Sequence, residues 1–317
     1  LLILQGKFYK IFPAKLRDAM CRVELEEEAL TELRFRCGGP VMLLCGRKEY
    51  VLTPCHGASE NLADAYRMSQ NELKEMMEYI SNYSFYAYEE EIRQGFLTIQ
   101  GGHRIGFCGK VVLEDGKIRT IRNISFLNVR IAHEKKGCAE RLLPLLMEGE
   151  RLCHTLIISP PGCGKTTLLR DIVRLVSDGR YGPGKKVGVV DERSEIAACY
   201  HGVPQNDVGL RTDVLDCCPK VLGIQLLLRS MSPEVIAVDE LGTKEDVEMV
   251  QRAVRSGCSI LATAHGDKAE HQKHMRTGSL FSLLGDATFE RYVFLSAKQH
   301  TGEIEAIYDE AWKPIGN

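Results

Sequence analysis

No stretch of this 317-residue chain approaches the roughly 18 to 20 consecutive apolar residues that cross a bilayer. Leu142 to Met147 is a short, core-like run, so the chain is not expected to span a membrane by itself. It has no C-x-x-C pair among its 12 cysteines and no evenly spaced framework; only Cys217 and Cys218 are adjacent. Zinc-ribbon and disulfide-scaffold readings are thereby excluded, and reduced core thiols in a cytoplasmic protein are expected. Charge of one sign is also missing, since 41 Lys and Arg face 43 Asp and Glu for a formal −2. A general nucleic-acid binder would carry a strong basic excess, so nucleic acid is not an expected partner. The chain opens Leu-Leu-Ile-Leu without an initiator Met or a charged-then-apolar signal pattern, and reads as trimmed.

What is present is ordinary globular composition, 44% hydrophobic and 26% charged, at about twice the usual domain length. Two domains are therefore expected, residues 1–137 and 138–317, with Glu134 to Gly137 as the linker. In the first, short period-two runs (Glu32 to Cys37, Val41 to Cys45, Tyr50 to Leu52, Leu97 to Ile99, Arg104 to Cys108, Val129 to Ile131) predict strands punctuated by Gly-Gly turns. Ser69-x-x-Glu72 predicts a helix start, with Leu73, Met76, Met77 and Ile80 on one face. This is a smaller α+β domain. The second alternates apolar strands (155–159, 187–191, 234–239, 258–264) with helices (165–177, 221–230, 244–256), the pattern of a doubly wound α/β domain with a parallel sheet.

Ser159-Pro-Pro-Gly-Cys-Gly-Lys-Thr166 follows one of those strands and opens a helix, the context of a phosphate-binding P-loop. Pro161, Gly162, Cys163 and Gly164 would offer main-chain N–H groups to phosphates, aided by the helix dipole. Lys165 would supply a full charge, Thr166 a hydroxyl to Mg²⁺, and Thr167 completes the segment. Ser159 stands where the usual motif has glycine. Val235 to Asp239-Glu240 is an apolar strand ending in two carboxylates, with Asp239 suited to the metal and Glu240 to an attacking water. ATP and Mg²⁺ are the expected ligands, and ATP hydrolysis the expected reaction. The strand ends carrying Asp191, Glu192, Thr263 and His265 are expected to place polar groups around the γ-phosphate, His265 being either a γ-phosphate sensor or a structural histidine. Cys163, at a helix N-terminus, is predicted to be a thiolate whose alkylation blocks ATP binding.

Leu226 to Gly242, with Leu-Arg, Pro-Glu-Val-Ile and a strand ending in Asp-Glu, together with Ala262-Thr-Ala-His-Gly266, resembles the ATPases of type II secretion and type IV pili. The chain resembles still more closely the sporulation stage III AA family. That likeness rests on Glu32-Leu-Arg-Phe-Arg-Cys-Gly-Gly-Pro, Gly95-Phe through Gly101-Gly-His-Arg-Ile-Gly, Ser159 to Thr167, Val190-Asp-Glu-Arg-Ser-Glu-Ile and Gln205-Asn-Asp-Val-Gly-Leu-Arg-Thr-Asp. The resemblance implies a RecA/AAA+-like P-loop domain behind a secretion-ATPase N-domain. It further implies a ring, expected to be a hexamer, in the mother-cell cytoplasm. That ring would dock peripherally on membrane proteins of a sporulation channel and serve as its motor. Secretion ATPases complete each site with arginines from a neighbouring subunit or the N-terminal domain; Arg104, Arg130 and Arg211 are the candidates here. Two other readings stay open: an AAA+ protein acting on nucleic acid, and a nucleotide-gated scaffold with little turnover.

Overall fold

A computed structural model of the chain describes residues 7–25, 29–46, 48–81, 88, 91, 93, 95–266, 288–296 and 302–316. The opening Leu-Leu-Ile-Leu lies outside them. Two units divide the chain, Leu1–His133 and Glu134–Asn317.

The first unit is built on an antiparallel sheet of seven strands: β1 (Leu30–Arg36), β2 (Met42–Cys45), β3 (Lys48–Thr53), β4 (Gly57–Ser59), β5 (Phe96–Thr98), β6 (Arg104–Glu114) and β7 (Lys117–Arg130). Their order is β4-β3-β2-β1-β7-β6-β5. Strand alternation sends Leu33, Phe35, Leu43, Leu97, Ile105, Phe107, Leu127 and Val129 to one face. They join a single core with Phe12, Leu16 and Met20 and with Leu73, Met76, Met77 and Ile80 of the helix Gln70–Ile80. That helix starts at the capping box expected from sequence: the Ser69 hydroxyl accepts the Glu72 amide and the Glu72 carboxylate accepts the Ser69 amide. The opposite face leaves Arg34, Arg36, Arg104 and Arg130 partly or fully exposed.

Sequence periodicity misses most of the β6–β7 hairpin. A register shift between Cys108 and Lys110 breaks the strict alternation, and both ribbon faces beyond it meet water. Among the described residues, Lys110 to Glu114 and Lys117 to Arg122 pair only with each other.

The second unit carries a seven-stranded sheet in which six neighbours are parallel: β10 (Thr155–Ser159), β11 (Val187–Asp191), β12 (Thr212–Asp216), β13 (Val235–Leu241), β14 (Ser259–His265) and β15 (Arg291–Ser296), with β16 (Glu303–Asp309) antiparallel at the edge. A two-residue hairpin, β8 (Met147–Glu148) and β9 (Arg151–Leu152), precedes it. The order is β12-β11-β13-β14-β10-β15-β16. Every residue of β10 and β11 is buried, because helices cover both faces. Helix Lys165–Asp178 packs Leu168, Leu169 and Ile172 on one side with Ile157. Helices Lys220–Ser230 and Lys244–Arg255 pack Ile224, Leu227, Val247 and Val250 on the other with Leu156 and Ile158. The strand β12 and the edge pair β15–β16 were not expected. β12 is a half-exposed strand of mixed polarity, Thr-Asp-Val-Leu-Asp, without the continuous apolar run that marks its neighbours.

Candidate active site

Strand β10 ends at Ser159, paired in register with His265, the last residue of β14. Next to β14 runs β13, which ends in Asp239 and Glu240, so the three strand ends converge on one edge of the sheet, where open α/β folds bind ligands. The turn after Ser159 places Gly162 at φ +75° and Gly164 at φ +86°. Those left-handed conformations are strained for a side chain, and they let the amides of the turn point to one side before the helix begins at Lys165.

One contact closes the loop against the carboxylate strand, and a second ties the same carboxylate to β14. Thr166 Oγ1 donates to Asp239 Oδ2 at 2.6 Å, and the Thr263 hydroxyl donates to the other Asp239 oxygen. Thr263 Oγ1 in turn accepts the Glu240 amide at 2.8 Å. This hydrogen bond holds Glu240 at φ +55°, where the pairing of β13 with β14 slips between Val238 and Leu241. Such a conformation costs on the order of 1–3 kcal/mol in a non-glycine residue and recurs where a bulge re-aims a functional side chain. The two oxygens of Thr166 and Asp239 are hard donors of the kind Mg²⁺ accepts while keeping waters and phosphate oxygens in its remaining positions, so this pair fits the metal.

Lys165 is buried, and its ammonium donates to the Ser159 carbonyl (3.1 Å), the Pro160 carbonyl (3.2 Å) and His265 Nδ1 (3.3 Å). Burial lowers its pKa, and the carboxylates of Asp239 and Glu240 oppose that shift. An ammonium only donates, so Nδ1 of His265 must accept and the ring proton sits on Nε2. From there it reaches Glu240 Oε1 at 3.1 Å. His265 is thus tied to both Lys165 and Glu240, and is 48% exposed, unlike a buried structural histidine.

The other predicted residues are placed differently. Asp191 ends β11 and Glu192 follows it, and among the described residues neither hydrogen-bonds to the loop or to Glu240. Asp191 is buried and accepts the amides of Glu195 (2.8 Å), Ile196 (2.9 Å) and Ala197 (2.8 Å). Burial pushes its carboxyl up to about 6, with Asp216 adding to the rise. Glu192 pairs with Lys220. Asp191 thus holds the turn that follows β11, and Glu192 anchors that turn to Lys220. Cys163 is 5% exposed and packs into the core with Leu168 and Ile172, so its thiol is turned away from the reagent expected to reach it. Arg211 donates to the Ser177 carbonyl at 2.9 Å, 12 residues beyond Lys165 on the same helix and hence about 18 Å from the loop of its own chain. In the first unit, Arg104 and Arg130 are direct cross-strand partners, and the Arg104 guanidinium lies 3.6 Å over the Phe96 ring.

Sequence reasoning passed over two residues. Arg193, in the turn after β11, places Nη1 2.5 Å from Glu240 Oε2. Arg170 sits one helical turn past Thr166 and donates to the carbonyls of Ile196 (2.5 Å) and Glu195 (2.6 Å), bracing that turn. The i, i+4 spacing from Thr166 was the available signal for Arg170; for Arg193 it was adjacency to Asp191-Glu192.

The family model described as "Sporulation stage III, protein AA" matches residues 4–315. Stage III sporulation protein AA of Bacillus subtilis (strain 168) is 41% identical over 303 residues, 95% of this chain and 94% of that protein. Among solved structures, the pilus retraction motor PilT with bound ADP aligns with a TM-score of 0.56 at 15% identity, covering 92% of this chain and 78% of that one. The ATPase DotB of Legionella pneumophila aligns at 0.53 and 16% identity, covering 84% and 72%. The fold is thus that of the P-loop ATPases of pili and secretion, and the chain belongs to the sporulation stage III protein AA family.

Proposed function

We propose that this chain is a Mg²⁺-dependent ATPase that acts as a ring-shaped motor of a sporulation-associated envelope channel. The observation that carries the catalytic part is the 2.6 Å contact between Thr166 and Asp239, with Glu240 beside it and Lys165 under the loop. In this reading the amides of 161–167 and Lys165 grip the β- and γ-phosphates, while Thr166 and Asp239 would hold the metal, which would supply positive charge beside the phosphates. Glu240 orients a water and takes its proton as the water oxygen bonds to the γ-phosphorus. The bond from that phosphorus to the β–γ bridging oxygen breaks, leaving ADP and phosphate. His265 fixes one oxygen of Glu240 and links it to Lys165. Glu192 acts through the turn it anchors and not on the phosphate.

The motor role is supported by the family and by the fold shared with PilT, a pilus retraction motor. Arginines completing the site from the first unit of a ring neighbour remain part of this reading. Arg104 and Arg130 suit it because they stand side by side on a sheet face that is partly exposed among the described residues, with Arg34 and Arg36 nearby, whereas Arg211 is engaged elsewhere. No helix among the described residues is long and apolar enough to cross a membrane, so membrane proteins of the channel would supply the attachment to the mother-cell side. A role on nucleic acid has less support, because the charges balance.

The test is ATP turnover by the assembled protein with Mg²⁺. Glu240→Gln should slow it about 10²- to 10⁴-fold, the usual contribution of a positioned base, and Lys165→Ala should abolish nucleotide binding. Turnover unchanged in Glu240→Gln defeats the catalytic assignment. Mass in solution that is the same with and without ATP, and always that of one chain, defeats the ring.

A further inference from the structure

Both oxygens of the Glu240 carboxylate are engaged, but by partners of different character. His265 holds Oε1 at 3.1 Å and is itself tied to Lys165. Arg193 holds Oε2 at 2.5 Å, and its side chain is 61% exposed. The turn that carries it is braced all the same. The carboxylate of Asp191 accepts three successive amides just beyond it, Arg170 clamps the carbonyls of Glu195 and Ile196, and Ser194 is held at φ +53°. Arg193 is therefore a long cation held at its root and exposed at its tip, standing beside the carboxylate read as the base.

An exposed arginine–carboxylate pair shifts an equilibrium only by a factor of a few. A phosphate carries more charge and accepts the guanidinium fork in two parallel hydrogen bonds, so it outcompetes a single carboxylate contact. Resting on the ATPase reading above, we propose that Arg193 is a positioning residue that reads the γ-phosphate. With ADP or no nucleotide in the loop it occupies Oε2 of Glu240; with a triphosphate it moves to the γ-phosphate and leaves Oε2 to the attacking water. Release of phosphate returns the guanidinium to Glu240. One side chain thereby couples the arrival of the correct nucleotide to exposure of the base, and disarms the base after each turnover.

The discriminating measurement is binding of a fluorescent ADP and of the β,γ-imido analogue of ATP, both with Mg²⁺, to the full chain. Arg193→Ala should weaken the analogue about tenfold, the loss of one charged hydrogen-bonding partner, while ADP changes less than about twofold. Arg193→Lys should recover part of the difference. Glu240→Gln, which loosens the resting contact, should tighten the analogue relative to ADP when Arg193 is present and do so by a factor of several less in Arg193→Ala. Additive effects of the two substitutions, or equal weakening of both nucleotides, overturn the proposal. Normal ADP binding with an unmoved ADP-to-analogue ratio removes this role for Arg193 alone, whereas a wild-type chain that binds neither nucleotide removes the ATPase reading beneath it. The exposure of Arg193 makes the variants safe to fold, and an unchanged melting temperature verifies it.

Discussion

The two units expose polar chemistry in different ways. In the first, the described residues cover one sheet face and leave the other partly exposed, so arginines stand along the strands, on the surface of the sheet itself. In the second, helices bury both faces of the central strands, and the polar side chains of the candidate site, Asp239, Glu240 and His265, stand where those strands end. A sheet covered on both sides concentrates function at an edge and fixes it with backbone; a sheet covered on one side spreads it over a surface and leaves it replaceable. Core damage should therefore reach the chemistry in the second unit more directly than in the first.

The largest contrast should come from the cores. Leu169→Ala removes a fully buried side chain from the helix that begins at Lys165 and should cost about 2–5 kcal/mol. Leu33→Ala, equally buried in β1, should cost a similar amount. Denaturant unfolding followed by hydrogen exchange in each unit should show the first loss coupled to weakened nucleotide binding. A Leu169→Ala protein that loses stability but binds nucleotide normally would break the contrast.

A second contrast is in pH, with opposite signs. His103 in the first unit packs against the Phe8 ring at 4.5 Å and accepts the Ala132 amide through Nδ1. Burial, with His133 adding, holds its pKa down to about 4. The unfolded chain therefore takes up the proton first, and stability present above pH 6.5 is lost as pH falls toward 4, by about 3 kcal/mol at most. Asp191 has the reverse shift, up to about 6, so its contribution is full below pH 4 and is lost as pH rises through 6, again by about 3 kcal/mol at most. Unit-resolved exchange from pH 4 to 8 should show slopes of opposite sign. His103→Gln should flatten the first and Asp191→Asn the second; slopes of one sign in both units would refute the assignment.

The smallest effect belongs to helix starts. The Ser69 box was legible in the sequence, and Thr243, which caps the helix after β13 with Asp246, is its counterpart in the second unit. Either residue changed to Ala should cost about 1 kcal/mol. Only Thr243 caps the element that follows Glu240, so its loss should also slow turnover, whereas Ser69→Ala should leave turnover unchanged.

Much of the fold was written in local pattern. The buried parallel strands carry continuous apolar runs, and the loop at 159–166 announces itself through the joint demands of turn geometry and phosphate charge. What stayed hidden was tertiary. β12 is polar enough to look like a loop. The long hairpin loses its alternation at a bulge. The acids after β11 look like phosphate neighbours until Asp191 is seen gathering three amides and Glu192 meeting Lys220. Arg193 was invisible for the complementary reason, since nothing in a string of residues says which of two neighbours a flexible cation will choose.

The β6–β7 ribbon has a consequence for the protein's life in solution. From Lys110 to Arg122 neither rim of the ribbon pairs with a further strand among the described residues, and Val111, Leu113 and Ile118 are exposed on it. Two such ribbons could zip together and seed precipitation. Lys110, Lys117, Arg119 and Arg122 outnumber Glu114 and Asp115 on the same segment, so copies repel there. That repulsion fades as salt shortens the screening length to about 3 Å near 1 M, which makes concentrated brine the condition in which this protein should clump.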